Sequence, residues 1–296
     1  MPSSRVPFFQ VWTHRLAVLS LAVLAACKTG PKMVTTNAER PVRVATFNAS
    51  LNRSEPGALA DELSEPTSVQ GQRIAEIIQR IRPDILALQE FDFDPKGRAL
   101  AGFKSNYLGV SQNGAEPIVF PYSYQPEVNT GLPTGLDLNN DGQTKSAADA
   151  HGFGHFEGQY GFVILSKYPI KADSIRTFQS FLWTQMPHAK LPKTAAGTNY
   201  YSPEVLKVLR LSSKNHVDAA IMVGQRKIHL LVSHPTPPVF DGPENRNGLR
   251  NHDEIQFWTD FNNTDSIPHI TNFVDGNSIE HFRYSNGTNG SLVELF

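Results

Sequence analysis

Val42-Arg43-Val44-Ala45-Thr46-Phe47-Asn48 and Asp84-Ile85-Leu86-Ala87-Leu88-Gln89-Glu90 are two short, largely apolar runs that each stop on a carboxamide or a carboxylate. Short apolar runs with polar ends predict buried strands. Between them, Val69 to Arg82 places Ile74, Ile77, Ile78 and Ile81 at the i, i+3, i+4, i+7 spacing of a helix with one buried face. Arg82-Pro83 ends it, because a residue before proline is pushed out of the helical region. The unit reads strand, helix, strand. If the strands run parallel, Asn48 and Glu90 project from the same edge of one sheet. Oxygen donors in that position suit hard-metal chemistry.

Upstream, Arg5, His14 and Arg15 precede an apolar run, Leu16 to Ala26, that falls well short of the roughly 20 residues needed to span a bilayer. Residues 1–26 are therefore set aside as a targeting segment. Leu24-Ala25-Ala26-Cys27 resembles the lipobox of bacterial lipoproteins. The resemblance implies cleavage before Cys27 and a lipid on its sulfur, which accounts for a single cysteine with no disulfide partner. An ordinary signal peptide with an incidental cysteine is the alternative. Lys28 stands where an inner-membrane retention aspartate would sit, so the expected address is the outer membrane or cell surface, reached through the lipid anchor. Residues 27–40 read as a polar tether, and 41–296 as one domain with an insertion around 126–155.

Without Arg5 and Arg15 the chain has 25 basic and 28 acidic residues, a formal charge of −3. That balance gives no broad positive field for a polyanion, which argues against a tight nucleic-acid binder. It leaves room for a nuclease that grips phosphate locally.

Downstream, Gly152-Phe153-Gly154-His155-Phe156-Glu157-Gly158-Gln159-Tyr160-Gly161 leads into the apolar run Phe162-Val163-Ile164-Leu165-Ser166. Glycines so dense before a strand let the backbone pass close to a neighbour or ligand. Val217 to Val223 and Lys227 to Ser233, joined by Gly224-Gln225-Arg226, predict a β-hairpin whose second strand delivers His234-Pro235. The loop that follows is rich in proline and glycine, and helical spacing resumes at Leu249, Ile255 and Trp258. Asp241, Arg246, Asn251 and His252 are candidate rim contacts for a substrate, as are Tyr160 and Asn215 near strand ends. Asp137-Leu138-Asn139-Asn140-Asp141-Gly142 has the alternating oxygens of half a calcium loop, so Asp137, Asn139 and Asp141 are candidate Ca²⁺ ligands. The twelfth position is Ala148 and not glutamate, with Asp149 beside it. A solvated turn rich in Asp and Asn is the alternative.

Taken in order, Thr46-Phe47-Asn48, Gln89-Glu90, the Gly-Gln-Tyr-Gly stretch and the His-Pro-Thr-Pro-Pro-Val-Phe-Asp-Gly-Pro loop resemble the endonuclease/exonuclease/phosphatase superfamily, over residues 42 to about 258. The resemblance is closest to its secreted bacterial members. It implies an α/β, DNase I-like four-layer α/β/β/α sandwich. It also implies a divalent metal, Mg²⁺ or Mn²⁺, at Glu90 with Asn48 helping to hold it, and His234 hydrogen-bonded to the scissile phosphate of a phosphate-ester substrate.

Two elements of the family pattern are missing in recognisable form: a strand-end Gly-Asp-x-Asn and a final Ser-Asp-His. Asp260-Phe261-Asn262 has three matching letters but follows helical spacing, so it reads as a helix terminus. The sequons at Asn262, Asn286 and Asn289 carry little meaning in a bacterial lipoprotein. Only Leu292-Val293-Glu294-Leu295-Phe296 regains an apolar pattern in the tail. The expectation is a C-terminally truncated member, lacking terminal strands. Two functions compete: a lipid-anchored metal-dependent phosphoesterase, and a non-catalytic surface lipoprotein that keeps the fold for binding. The substrate, whether nucleic acid, phospholipid or small phosphate ester, is set by rim loops.

Overall fold

A computed structural model describes residues 41–262 and 294–295. Residues 1–40, with the lipobox and Cys27, lie outside the described residues, as do Asn286 and Asn289. The described residues from Val42 onward belong to one compact unit. Its elements are β1 (Val44–Leu51), α1 (Ala58–Leu63), α2 (Val69–Ile81), β2 (Ile85–Phe91), α3 (Arg98–Gly102), β3 (Tyr122–Tyr124), β4 (Phe162–Ser166), β5 (Arg176–Thr177), α4 (Pro203–Leu206), β6 (His216–Val223), β7 (Arg226–Ser233), α5 (Arg246–Asn262) and β8 (Glu294–Leu295).

Two four-stranded sheets result, ordered β1-β2-β4-β3 and β5-β6-β7-β8. β1 and β2 are parallel, and every other pair is antiparallel. Strand alternation sorts the core into layers. In β2, Ile85 and Ala87 face the second sheet, where they meet Val217, Ala219, Ile221, Leu230 and Val232. Leu86 and Leu88 face the other way, onto Leu59, Leu63, Ile74 and Ile78 of α1 and α2. The outer face of the second sheet is covered by α5, whose Phe257 and Trp258 pack with Leu231 and Trp183. The order helix, sheet, sheet, helix is the four-layer sandwich expected. A strand buried on both faces reads as a continuous apolar run, which explains the composition of β2 and β4.

α2 follows its pattern with one correction. Its buried stripe is Gly71, Ile74, Ala75, Ile78 and Gln79, while Ile77 and Ile81 are about half exposed. Gly71 sets that register: a side chain there would meet the Tyr107 ring, so the helix docks along the line through position 71. Ser68 caps its N-terminus by accepting from the Gly71 N–H, and Arg82 ends it in the left-handed region. At the far end of the chain, Glu294–Leu295 pairs with Leu230 and Leu231 as the fourth strand of the second sheet.

Candidate active site

β1 does not end at Asn48. It pairs in register with β2 up to Asn48↔Gln89, then slips, so that Leu51 faces Phe91. Ala49 and Ser50 on one strand thus oppose Glu90 alone on the other. Ser50 (φ 51°) and Glu90 (φ 55°) both adopt the left-handed region. For side chains other than glycine this costs on the order of 1–3 kcal/mol each. Bulges re-aim side chains. Here Asn48 Nδ2 donates to Glu90 Oε1 at 2.9 Å and Asn52 Nδ2 donates to Oε2 at 3.0 Å. Asn52 was invisible to sequence reading, because nothing in the sequence shows that the strand resumes beyond Asn48.

Behind Glu90 lies Asp92, buried, with Oδ1 accepting from the Tyr160 N–H and Oδ2 from the Arg53 N–H. Burial pushes its carboxyl up to about 6 against the pull of those bonds, and the charge of Glu90 adds to the rise. Tyr160 is also left-handed (φ 56°). Burial raises its phenol, and the charges of Glu90 and Asp92 add to the rise. The flanking glycines let this backbone pass close to the end of β2: a Cβ at Gly161 would lie 2.8 Å from the Phe91 carbonyl, and one at Gly158 would lie 2.8 Å from Phe93. Gln159 ties the stretch down, accepting from the His155 N–H and donating to the Arg53 carbonyl at 2.6 Å.

From the second sheet, β7 delivers His234, whose Nε2 stands 4.0 Å from Glu90 Oε1. Burial, then the charge of Lys214, pushes the imidazole down to about 3, so the ring is neutral and the contact is not an ion pair. Lys214 is 6% exposed. Burial lowers its ammonium to about 8, partly offset by Glu254 and Glu90. Glu254, fully buried in α5, holds the two segments together: Oε1 accepts from the Ser213 N–H and Oε2 from the Thr236 N–H, both at 2.6 Å. No local sequence signal singles it out.

The remaining candidates are dispersed. Asn215 is buried, accepting from Thr177 Oγ1 and donating to the Glu127 carbonyl. Asn251 donates to the Thr236 carbonyl at 2.7 Å, bracing the segment after His234. Asp241 accepts from the N–H groups of Asn247 and Gly248, in the first turn of α5. Arg246 pairs with Glu244 and lies over the Tyr200 ring. His252 contacts Asp253 and Lys190, on the Trp183 side of the molecule. In the 137–142 loop, Asp137 accepts from the Asp141 and Gly142 N–H groups, Asn139 donates to Asp141, and Asp141 accepts from the Gln143 N–H. Asp149 is engaged by Leu138 and Ser146. Asp260–Asn262 is the last turn of α5, as the spacing predicts.

The donor chemistry at Glu90 fits a hard divalent cation. Each carboxylate oxygen accepts one amide hydrogen and keeps a lone pair, and the side chain is 23% exposed. Among the described residues no three His, Cys, Asp or Glu side chains gather at one point. A cation here would therefore rely on one carboxylate, neutral oxygens, water and substrate, the habit of Mg²⁺ and not of a closed protein cage.

A model of the Endonuclease/Exonuclease/phosphatase family matches residues 45–267. No curated protein matches the chain. Among solved structures, an endonuclease/exonuclease/phosphatase from Beutenbergia cavernae DSM 12333 is 15% identical, covering 79% of this chain and 44% of that one, with a TM-score of 0.34. A β-hairpin deletion mutant of β toxin from Staphylococcus aureus is 15% identical over 77% of this chain and 63% of that one, TM-score 0.36. An endonuclease/exonuclease/phosphatase family protein from Leptotrichia buccalis C-1013-b is 13% identical over 63% and 51%, TM-score 0.29. The chain thus spans less than two thirds of the length of each of these three.

Proposed function

The chain belongs to the endonuclease/exonuclease/phosphatase family, and from that premise we propose that it hydrolyses phosphate esters with Mg²⁺ or Mn²⁺ held at Glu90 and Asn48. The observation that carries the reading is the Glu90 carboxylate itself. It stands at a strained bulge, oriented at each oxygen by a separate side-chain amide, and faces an imidazole from the other sheet at 4.0 Å. Strain of this kind persists only where surrounding structure enforces it, and it gathers at functional positions.

Bound there, such a cation supplies charge neutralisation at a phosphoryl oxygen. His234 stays neutral through the physiological range, so its role is a hydrogen-bond donor toward the phosphoryl group on the Glu90 side. Tyr160, whose backbone N–H is held by Asp92, keeps its phenolic proton. Asn48 and Asn52 orient Glu90. Asp92 fixes the backbone of Tyr160 and Arg53, and with it the floor of the site.

The test is hydrolysis of p-nitrophenyl phosphate and bis-p-nitrophenyl phosphate by the purified chain with Mg²⁺ or Mn²⁺, beside Glu90→Gln. Turnover abolished by the substitution supports the reading. A folded chain with no turnover on either ester sinks it and leaves a binding protein of the same fold. The lipid anchor at Cys27 belongs to the same proposal. Its check is release of the protein from membranes by Cys27→Ser.

A further inference from the structure

The bulge that aims Glu90 is closed by a side chain from the helical layer. Where the register of β1 slips against β2, the carbonyls of Ala49 and Ser50 both accept from Gln70 Nε2 of α2, at 3.1 and 2.9 Å. The Ser50 N–H turns back to Asn48 Oδ1 at 3.0 Å. With its oxygen engaged there, the Asn48 amide presents its nitrogen to Glu90, and Nδ2 donates to Oε1. One side chain of α2 therefore holds the backbone turn that sets the direction of the Asn48 amide.

Gln70 is itself held. Arg53 Nη2 donates to Gln70 Oε1 at 3.2 Å, which leaves the Gln70 amide nitrogen facing the bulge. Arg53 Nη1 donates to the Asn52 carbonyl at 2.7 Å, and Asn52 is the residue whose amide engages Glu90 Oε2. From the other side the guanidinium is fixed by Glu62 of α1, through Nε at 2.5 Å and Nη2 at 2.7 Å, a two-pronged charge-assisted pair. That bond holds the Glu62 carboxyl below its ordinary value. Ser68, the N-cap of α2, donates to the same carboxylate from Oγ at 2.5 Å. The two helices and the 48–52 segment thus meet at one guanidinium. Ser50 and Glu90 both stay in the left-handed region at this bulge, a conformation that persists only where its surroundings over-determine it.

We propose that Glu62, Arg53 and Gln70 are positioning residues for the cation site, a relay from α1 and α2 that fixes the Ala49-Ser50 bulge and Asn52, and through them the direction of the Glu90 carboxylate. Groups that orient a metal-binding carboxylate from outside govern its affinity for the ion. The relay rests on the proposed cation at Glu90 for its consequence, while the geometry it enforces is measurable without metal or turnover.

Gln70→Met keeps the length of the side chain and removes its bonds to the bulge and to Arg53. Arg53→Lys keeps the charge without the fork that joins Glu62, Gln70 and Asn52. Gln72→Met, two residues on in α2, removes a bond to the Pro66 carbonyl and is the control. Mn²⁺ is titrated onto the full chain in detergent and followed by calorimetry, with no ester present. Gln70→Met and Arg53→Lys should each weaken Mn²⁺ binding at least about tenfold, and Gln72→Met less than about twofold. Metal-free crystal structures of the same chains should show each relay variant losing the left-handed φ of Glu90 or at least one of its two amide bonds. Either variant that folds is enough for the test. Wild-type Mn²⁺ affinity in the variants, or Glu90 kept at φ near 55° with both amide bonds, refutes the relay and leaves the hydrolase reading standing. An equal loss in the Gln72→Met control refutes it as well, because the loss then reports a general loosening of α2. A wild-type chain that binds no Mn²⁺, with variants that lose the Glu90 geometry, upholds the relay and sinks the cation reading.

Discussion

Two glutamates, Glu90 and Glu254, are built on the same local plan and do opposite things. Each has both carboxylate oxygens held by a separate nitrogen donor. At Glu254 the donors are backbone N–H groups of two chain segments, and the side chain has no exposed surface. That carboxylate is a structural clamp. At Glu90 the donors are side-chain amides, the carboxylate is 23% exposed, and its backbone sits in a strained conformation. That carboxylate is oriented and still available. What separates a buried brace from a ligand is therefore which groups orient the carboxylate and what remains open, since the number of bonds is the same.

The comparison breaks most sharply at the clamp. Glu254→Ala leaves the Ser213 and Thr236 N–H groups buried without acceptors, and each such loss costs about 1–3 kcal/mol. A drop of about 4 kcal/mol in unfolding free energy by urea titration is expected. A change under about 1 kcal/mol would show that Glu254 braces nothing.

Glu90→Gln should do the reverse. Stability stays within about 0.5 kcal/mol, as for a partly exposed substitution. Turnover with Mg²⁺ falls at least ~100-fold in a steady-state assay, because charge stabilisation at the phosphoryl group is lost.

A smaller effect sharpens the buried side. His151 lies near Arg210 and Arg250, and burial followed by those two charges holds its imidazole down at about 4. The unfolded ring takes up a proton near pH 6.5. The neutral folded ring therefore contributes stability that is complete above about 6.5 and is lost as pH falls from there to about 4. The slope is at most about 1.4 kcal/mol per pH unit. His151→Gln should flatten the stability profile in that window, and an unchanged slope would refute the assignment.

The smallest expected effect is in the 137–142 loop. Asp137→Ala removes the acceptor of the Asp141 and Gly142 N–H groups in an exposed turn and should lower stability by about 1 kcal/mol. A thermal melt with and without Ca²⁺ on both proteins separates a self-capped turn from a calcium site. Only the latter gives a Ca²⁺-dependent shift that the substitution abolishes.

Much of this was legible in the chain. β2 falls within one residue of its apolar run, and α2 ends at Ile81, with Arg82 before Pro83 as its C-cap. The hairpin of β6 and β7 also formed as read, with Gly224 at a positive φ in its turn. These depend on local pattern, which a linear sequence states directly. The bulge did not announce itself, because Ala49-Ser50 opposite Glu90 is a relation between strands. Asn52 was hidden for the same reason. Asn215 and His252 looked like rim residues from composition alone, and packing turned their side chains elsewhere.

By itself the sequence determined which polar side chains lie on or just past the strands: Asn48 within the first, Glu90 near the end of the second, and His234 after the hairpin. Apolar runs and turn residues fix strands without reference to partners. Tertiary structure alone decided that Glu90 turns outward between two asparagines and that His234 from the other sheet faces it. Register, burial and charge environment are properties of contacts between distant segments. They exist only once the two sheets have closed on one another.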